Sequence, residues 1–136
     1  MRVVLVCPVW KKRPTGQNRL GAATMGDCLF CKILTGEVPS DKIYEDDKMF
    51  VFKDIYPKAD VHLLAIPRAH ISSLNEVTDE HDEIMAHMLK QLPKLAKEQG
   101  LNDGFRTIIN TGKGGGQVVF HLHMHLLGGN NLPGFQ

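Results

Sequence analysis

The chain has 136 residues, 43% hydrophobic and 23% charged, which suits one soluble globular domain with a core of ordinary size. The formal net charge of +1 conceals an asymmetry: residues 1–24 hold Arg2, Lys11, Lys12, Arg13 and Arg19 and no acid, leaving 11 basic and 15 acidic side chains, a net of −4, in the rest. A body of that sign lacks the basic face that phosphate-backbone contacts need, so nucleic acid is excluded as a partner.

No apolar run reaches the length of a membrane span, so no membrane association is expected. Val3–Val9 is short, holds Pro8 and lacks a convincing cleavage site, which argues against a secretory signal. Residues 1–24 read as a disordered or misassigned leader, with synthesis starting at Met25, a domain over residues 25–136 and a cytoplasmic location. The alternative is a mitochondrial targeting segment, although Pro8 and Pro14 weaken the amphipathic helix it requires. Cys7, Cys28 and Cys31 are an odd count and make no disulfide framework, which points to a reducing compartment.

Along the chain, Asp27 is expected to cap a short helix through Leu34 that Gly36 terminates. Strands are expected over residues 42–44 and 49–52, flanking the acidic turn Glu45-Asp46-Asp47, and over residues 61–66, closed by Pro67. Thr78 or Asp79 opens a long helix whose apolar face includes Ile84, Met88, Leu92, Leu95 and Ala96; Pro93 lies inside it and Gly100 ends it. A fourth strand over residues 105–110 leads through a glycine-rich turn to a fifth that carries alternating histidines. Hairpins with inserted helices predict an α+β domain on an antiparallel meander sheet, with one short N-terminal helix and one long one.

The chemistry concentrates in Phe120-His121-Leu122-His123-Met124-His125-Leu126-Leu127. In a strand, alternate side chains share a face, so the three imidazoles point one way and Leu122, Met124 and Leu126 the other. Three groups able to act as base, nucleophile or ligand near neutral pH then share one ridge. An expression tag places histidines consecutively and at an end, without an apolar face between them. Just upstream, Thr111-Gly112-Lys113-Gly114-Gly115-Gly116-Gln117 is not a Walker loop, because the order is wrong and no helix follows. Its glycines suit either a flexible hairpin turn or a nest of amides around an anion.

Cys28 and Cys31 are a two-residue-spaced thiol pair, half of a zinc site, a redox motif or a chance pair; His70 and His121 are the natural further ligands. His62 alternates with Leu64 and Ile66 and reads as a satisfied core histidine, while His81 and His87 are expected to face solvent. Asp54, at a strand end, suits either ribose hydroxyls or a plain turn cap.

Together these segments resemble the histidine triad family. His121-Leu122-His123-Met124-His125-Leu126-Leu127 matches its His-x-His-x-His-x-x signature, and Phe52-Lys53-Asp54-Ile55, Leu63–Ile71, Ile109-Asn110-Thr111-Gly112 and Gly115-Gly116-Gln117 fall in the expected order from about Asp27 to Gly129. Gly128-Gly129 after the triad is similar to the Hint branch, the histidine triad nucleotide-binding proteins. The resemblance implies a homodimer that binds purine nucleoside monophosphates and hydrolyses the P–N bond of nucleoside 5′-phosphoramidates. It implies His123 as the nucleophile that carries the nucleotidyl group, His125 as the group handling phosphate or leaving amine, and His121 as support. Asp54 is similar to the family's ribose-binding acid, and Leu29, Phe30, Ile33, Phe52, Ile55 and Leu64 to its base pocket, with Asn110 and Gln117 adding polar contacts. Amides near Gly116 and Gln117 are candidates to stabilise charge on the phosphoryl oxygen.

No cofactor is required for that chemistry. In zinc-bearing relatives a set like Cys28, Cys31, His70 and His121 forms a closed structural site. Related transferases commonly carry glutamine at the third histidine, so His125 favours hydrolysis. Val118, among the nucleotide-binding positions, stands where many Hint proteins have a hydroxyl residue, and the tail Asn130–Gln136 lacks the tryptophan of eukaryotic relatives. The alternatives are a dinucleoside polyphosphate hydrolase, which shares the nucleophile, and a nucleotide-binding regulatory module with vestigial catalysis.

Overall fold

The computed structural model describes residues 27–134; the leader read over residues 1–24 and the start at Met25 lie outside the described residues. Helix α1, Leu29–Thr35, begins at Cys28 rather than at Asp27: the Cys28 sulfur, on extended backbone, accepts the Cys31 N–H at 3.3 Å. Gly36 ends α1 in the left-handed region (φ 87°), where a Cβ is costly, and its N–H closes on the Ile33 carbonyl. Phe30, Cys31 and Ile33 form the buried face.

Strands β1 (Lys42–Glu45) and β2 (Met49–Lys53) make a hairpin over the acidic turn, where Asp46 Oδ1 accepts the N–H groups of Lys48 and Met49. Strand β3, Val61–Pro67, pairs with β2. Thr78 caps a single 3₁₀ turn, Asp79–His81, which runs into α2, Asp82–Glu98, with Pro93 inside. His81 is committed to that turn, its Nδ1 accepting the Thr78 N–H. His87 does not simply face solvent, because its Nε2 lies 2.6 Å from Asp46 Oδ2 and ties α2 to the β1–β2 turn.

Strand β4 is shorter than expected, Arg106–Ile108, and β5 covers Met124–Gly128. The five strands are antiparallel in the order β1-β2-β3-β5-β4, so the first three form a meander and the last strand of the chain enters between β3 and β4. Position 125 is thereby central, paired to Leu64 on one side and Ile108 on the other. Alternation splits the sheet into two cores. Met49, Val51, Leu63, Ala65, Met124 and Leu126 pack with Met88, Leu92, Leu95 and Ala96 of α2. Phe50, Phe52, Leu64 and Ile66 pack on the opposite face with Phe30, Cys31 and Ile33 of α1. Among the described residues no helix is long and apolar enough to cross a membrane.

Candidate active site

Only His125 of the three histidines lies on a strand. Residues 118–123 are irregular, because two of their backbone groups are engaged elsewhere: the Leu122 N–H donates to the Ile71 carbonyl at 2.6 Å, and the His121 carbonyl accepts from His123. The β3–β5 ladder accordingly stops at Ala65 and Met124. The partition of side chains survives, since Leu122, Met124 and Leu126 are fully buried apart from the imidazole cluster.

A carbonyl only accepts, so the hydrogen bonds fix the ring hydrogens. His123 Nδ1 lies 2.7 Å from the His121 carbonyl and carries the hydrogen, which leaves Nε2 with its lone pair. His121 Nε2 donates to the Pro67 carbonyl at 2.9 Å, leaving Nδ1 bare. His62 is no isolated core residue. Its Nδ1 accepts the Lys58 N–H at 3.0 Å, so its Nε2 holds the hydrogen and donates to His125 Nδ1 at 2.9 Å, with Asp54 Oδ2 3.4 Å away. His125 in turn keeps its hydrogen on Nε2. Sequence alternation put His62 on the face of Leu64; what it could not supply was the register that sets β3 beside β5.

A cavity of about 700 Å³ opens over these rings. Leu29, Phe30, Ile33, Phe52, Asp54, Ile55, Leu64, Asn110, Gly116 and Val118 all line it, together with His62, His123 and His125. One end is aromatic: Phe30 meets Phe52 edge-on at 5.5 Å and the His123 ring at 5.1 Å. Gln117 is drawn elsewhere. It is buried, its Oε1 accepts the Gly112 N–H, and its Nε2 donates to the Ser72 and Val119 carbonyls. The glycine loop is closed on itself as well, with the Gly116 and Gln117 N–H groups held by the Lys113 and Gly112 carbonyls. The N–H groups of Gly116 and Gln117, expected to form part of an amide cradle, are therefore already engaged within the loop.

Beneath His123, Cys28, Cys31, His70 and His121 bring one ligand atom each within 4.8 Å of one another. The His121 Nδ1 lies 3.4 and 3.6 Å from the two sulfurs, and His70 Nδ1 lies 3.3 Å from the Cys31 sulfur. Tetrahedral zinc with ordinary bond lengths sets such S···N edges at about 3.6 Å. The bare Nδ1 of His121 is the lone pair a cation needs. The Cys31 sulfur, however, is disulfide-bonded in this structure, against the expectation of reduced cysteines, so the donor types suit zinc only once that bond is reduced. Asp54, His62 and His125 form a second grouping of ligand types, but the His62 Nε2 hydrogen makes it a hydrogen-bond relay.

Burial holds all five imidazoles neutral. It pushes His121 down to about 3 and His70 and His125 to about 4 from an ordinary 6.5, and lowers His62 and His123 as well. In the unfolded chain these rings take protons near 6.5, so their stabilisation is complete above that pH and lost as pH falls from about 6.5 through about 4. His70, His121 and His125 each add roughly 1 kcal/mol per pH unit to that fall, and His62 and His123 add to it in the same direction. Urea midpoints of the metal-free protein should drop steeply between pH 6.5 and 4; a flat profile there would contradict the neutral assignment.

A family profile described as scavenger mRNA decapping enzyme C-terminal binding matches residues 27–135. Protein HitA of Neisseria gonorrhoeae is 52% identical over 104 residues, 76% of this chain and 97% of that protein. A purine nucleoside phosphoramidase of Escherichia coli K12 is 44% identical over 107 residues, 78% of this chain and 90% of that enzyme. A histidine triad protein of Clostridium difficile superposes with a TM-score of 0.76 at 46% identity, over 81% of this chain and 96% of that one. A histidine triad family hydrolase of Legionella pneumophila does so at 0.74 and 47%, over 76% and 93%. With its two-sided antiparallel sheet and its clustered imidazoles, the chain belongs to the histidine triad family.

Proposed function

We propose that this protein is a nucleotide hydrolase that cleaves the P–N bond of purine nucleoside 5′-phosphoramidates through a nucleotidyl-His123 intermediate. The observation that carries the reading is the His123 ring: its Nδ1–H is locked on the His121 carbonyl, leaving Nε2 as the nucleophilic atom at the cavity. The phosphoramidase of E. coli, 44% identical, supports the choice of substrate. The purine stacks at the Phe30–Phe52 end and Asp54 takes the ribose hydroxyls, while Asn110 and His125 bind the phosphoryl oxygens. His123 Nε2 bonds to phosphorus as the P–N bond breaks, and the departing nitrogen takes a proton from His125. A phosphoryl anion beside His125 offsets the burial that otherwise keeps it neutral, so on substrate binding the pair takes up one proton. His125 becomes the imidazolium acid, and His62 moves its hydrogen from Nε2 to Nδ1, giving up the Lys58 N–H, to accept from His125 Nδ1. Water then breaks the His123–phosphorus bond, returns a proton to His125 and frees the monophosphate.

The test is a comparison of kcat/KM for adenosine 5′-phosphoramidate and diadenosine tetraphosphate on purified protein. We expect the phosphoramidate to be favoured by about tenfold or more, a modest discrimination for one leaving group against another. The reverse preference would install the polyphosphate reading, and tight monophosphate binding without single-turnover hydrolysis would install the regulatory module. The family resemblance carries a homodimer and a cytoplasmic location into the same proposal; sedimentation equilibrium at micromolar concentration tests the dimer.

Once the disulfide at Cys31 is reduced and both sulfurs are thiolates, Cys28, Cys31, His70 and His121 would hold a structural zinc ion. Bound there, zinc would supply a rigid cross-link between α1, the segment after β3 and the backbone that carries His123. Protein purified without added metal should contain about one equivalent by elemental analysis, and Cys28→Ala should lose it. Less than about a tenth of an equivalent in the parent protein would refute the site.

A further inference from the structure

Besides its imidazoles the cavity is lined by the ionic residues Lys53, Asp54 and Lys58, all from the end of β2 and the loop that follows. Lys53 follows Met49 and Val51 on the strand face packed against α2, and its ammonium lies 3.9 Å from an Asp41 carboxylate oxygen. Lys58 has no such partner. Among the described residues no carboxylate pairs with its ammonium, whose hydrogen bond goes to the Tyr56 carbonyl at 3.4 Å. Its backbone is nonetheless fixed in the free protein, because the Lys58 N–H donates to His62 Nδ1 at 3.0 Å.

This unpaired cation stands beside Asp54. Asp54 Oδ1 accepts the Tyr56 N–H at 2.8 Å, so carboxylate and ammonium hold the two backbone groups of one residue without pairing with each other. The ammonium also faces the ring pair: burial lowers His62 and His125, and the Lys58 charge lowers both further. Ile55 and Tyr56 line the same rim and are 77% and 73% exposed. A nucleotide seated at Asp54 covers them and removes water from around Lys58, which strengthens an ion pair there. A carboxylate only accepts, so Asp54 needs a ribose O–H. A plain monophosphate satisfies Asp54 and leaves Lys58 unmet. A phosphate on one ribose hydroxyl leaves the other for Asp54 and gives Lys58 its anion. We propose that Lys58 forms an anion subsite beside the ribose, so that the protein prefers nucleotides carrying a second phosphate on the 2′ or 3′ hydroxyl. This rests on the placement of the ribose at Asp54 proposed above.

Calorimetry at low ionic strength compares AMP with adenosine 2′,5′-bisphosphate and adenosine 3′,5′-bisphosphate on wild type, Lys58→Gln and Lys58→Arg. Both variants keep the backbone N–H that His62 accepts. At least one bisphosphate should bind wild type about threefold to fivefold more tightly than AMP, the scale of an ion pair with an exposed ammonium, and the preference should fade as salt rises. Arginine should retain the preference and glutamine should abolish it. No preference for either bisphosphate in wild type, or one that survives in Lys58→Gln, overturns the subsite. A second arm measures kcat/KM for the glycine phosphoramidate of AMP and for its uncharged glycinamide counterpart. A loss in Lys58→Gln confined to the glycine compound, without a bisphosphate preference, assigns the ammonium to the leaving group and overturns its place beside the ribose. Asp54→Asn tests the underlying reading separately. If that substitution leaves AMP affinity unchanged, Asp54 does not hold the ribose, whereas the Lys58 subsite stands or falls on the bisphosphate preference.

Discussion

His123→Asn should lower turnover of adenosine 5′-phosphoramidate by roughly three orders of magnitude or more, the scale of losing a covalent nucleophile. Asparagine is the informative replacement because its side-chain amide can still donate to the His121 carbonyl, the bond that His123 Nδ1 makes at 2.7 Å. The irregular 118–123 segment then keeps its anchor while the nucleophilic lone pair is gone. Binding of AMP should survive, since the Phe30–Phe52 pocket and Asp54 are untouched. Intact-protein mass spectrometry after rapid denaturation at alkaline pH should show a nucleotidyl adduct on wild type and none on the variant. Turnover near wild type in His123→Asn would remove His123 from the mechanism.

The clustering of the imidazoles apart from an apolar face was legible in the sequence because period-2 alternation is strict where it counts. Leu122, Met124 and Leu126 are buried among apolar groups, and the imidazoles lie apart from them, even though the strand begins only at Met124. Alternation reports which face a residue occupies; it does not report which backbone groups are paired. The Leu122 N–H leaves the sheet for Ile71, an interaction between residues far apart in sequence that no local pattern encodes. The same limit explains Gln117 and the glycine loop. Glycine content signalled a tight turn, but whether the amides face outward to an anion or inward to Gly112 and Lys113 depends on how the turn closes. The metal set was readable as ligand types and not as geometry, because His70 and His121 come from separate segments that converge only when the sheet forms. His62 was missed for a related reason: its partner His125 is 63 positions away, and only the β3–β5 register unites them.

The largest consequence of that missed pairing is kinetic. His62→Phe should reduce kcat by about a hundredfold with little change in KM, the low end of what acid–base participation contributes. In the free protein the Lys58 N–H denies His62 Nδ1 a hydrogen, so His62 Nε2–H is the donor that holds His125 with a bare Nδ1 and a hydrogen on Nε2. Phenylalanine keeps the ring volume in a buried site and removes that donor, leaving His125 free to adopt the tautomer that offers the leaving group nothing. His62→Gln, whose amide can donate to His125, should recover part of the loss. A merely structural His62 would show itself differently. Losing the bonds to Lys58 and His125 costs about 1–3 kcal/mol of stability, which a urea midpoint registers. If kcat follows that midpoint and recovers fully at low temperature, where both variants are folded, the relay has no part in the chemistry. If kcat stays depressed in fully folded His62→Phe, and the ¹⁵N shifts of His125 report a mixture of tautomers that His62→Gln restores to one, the ring at position 62 sets the proton that His125 gives.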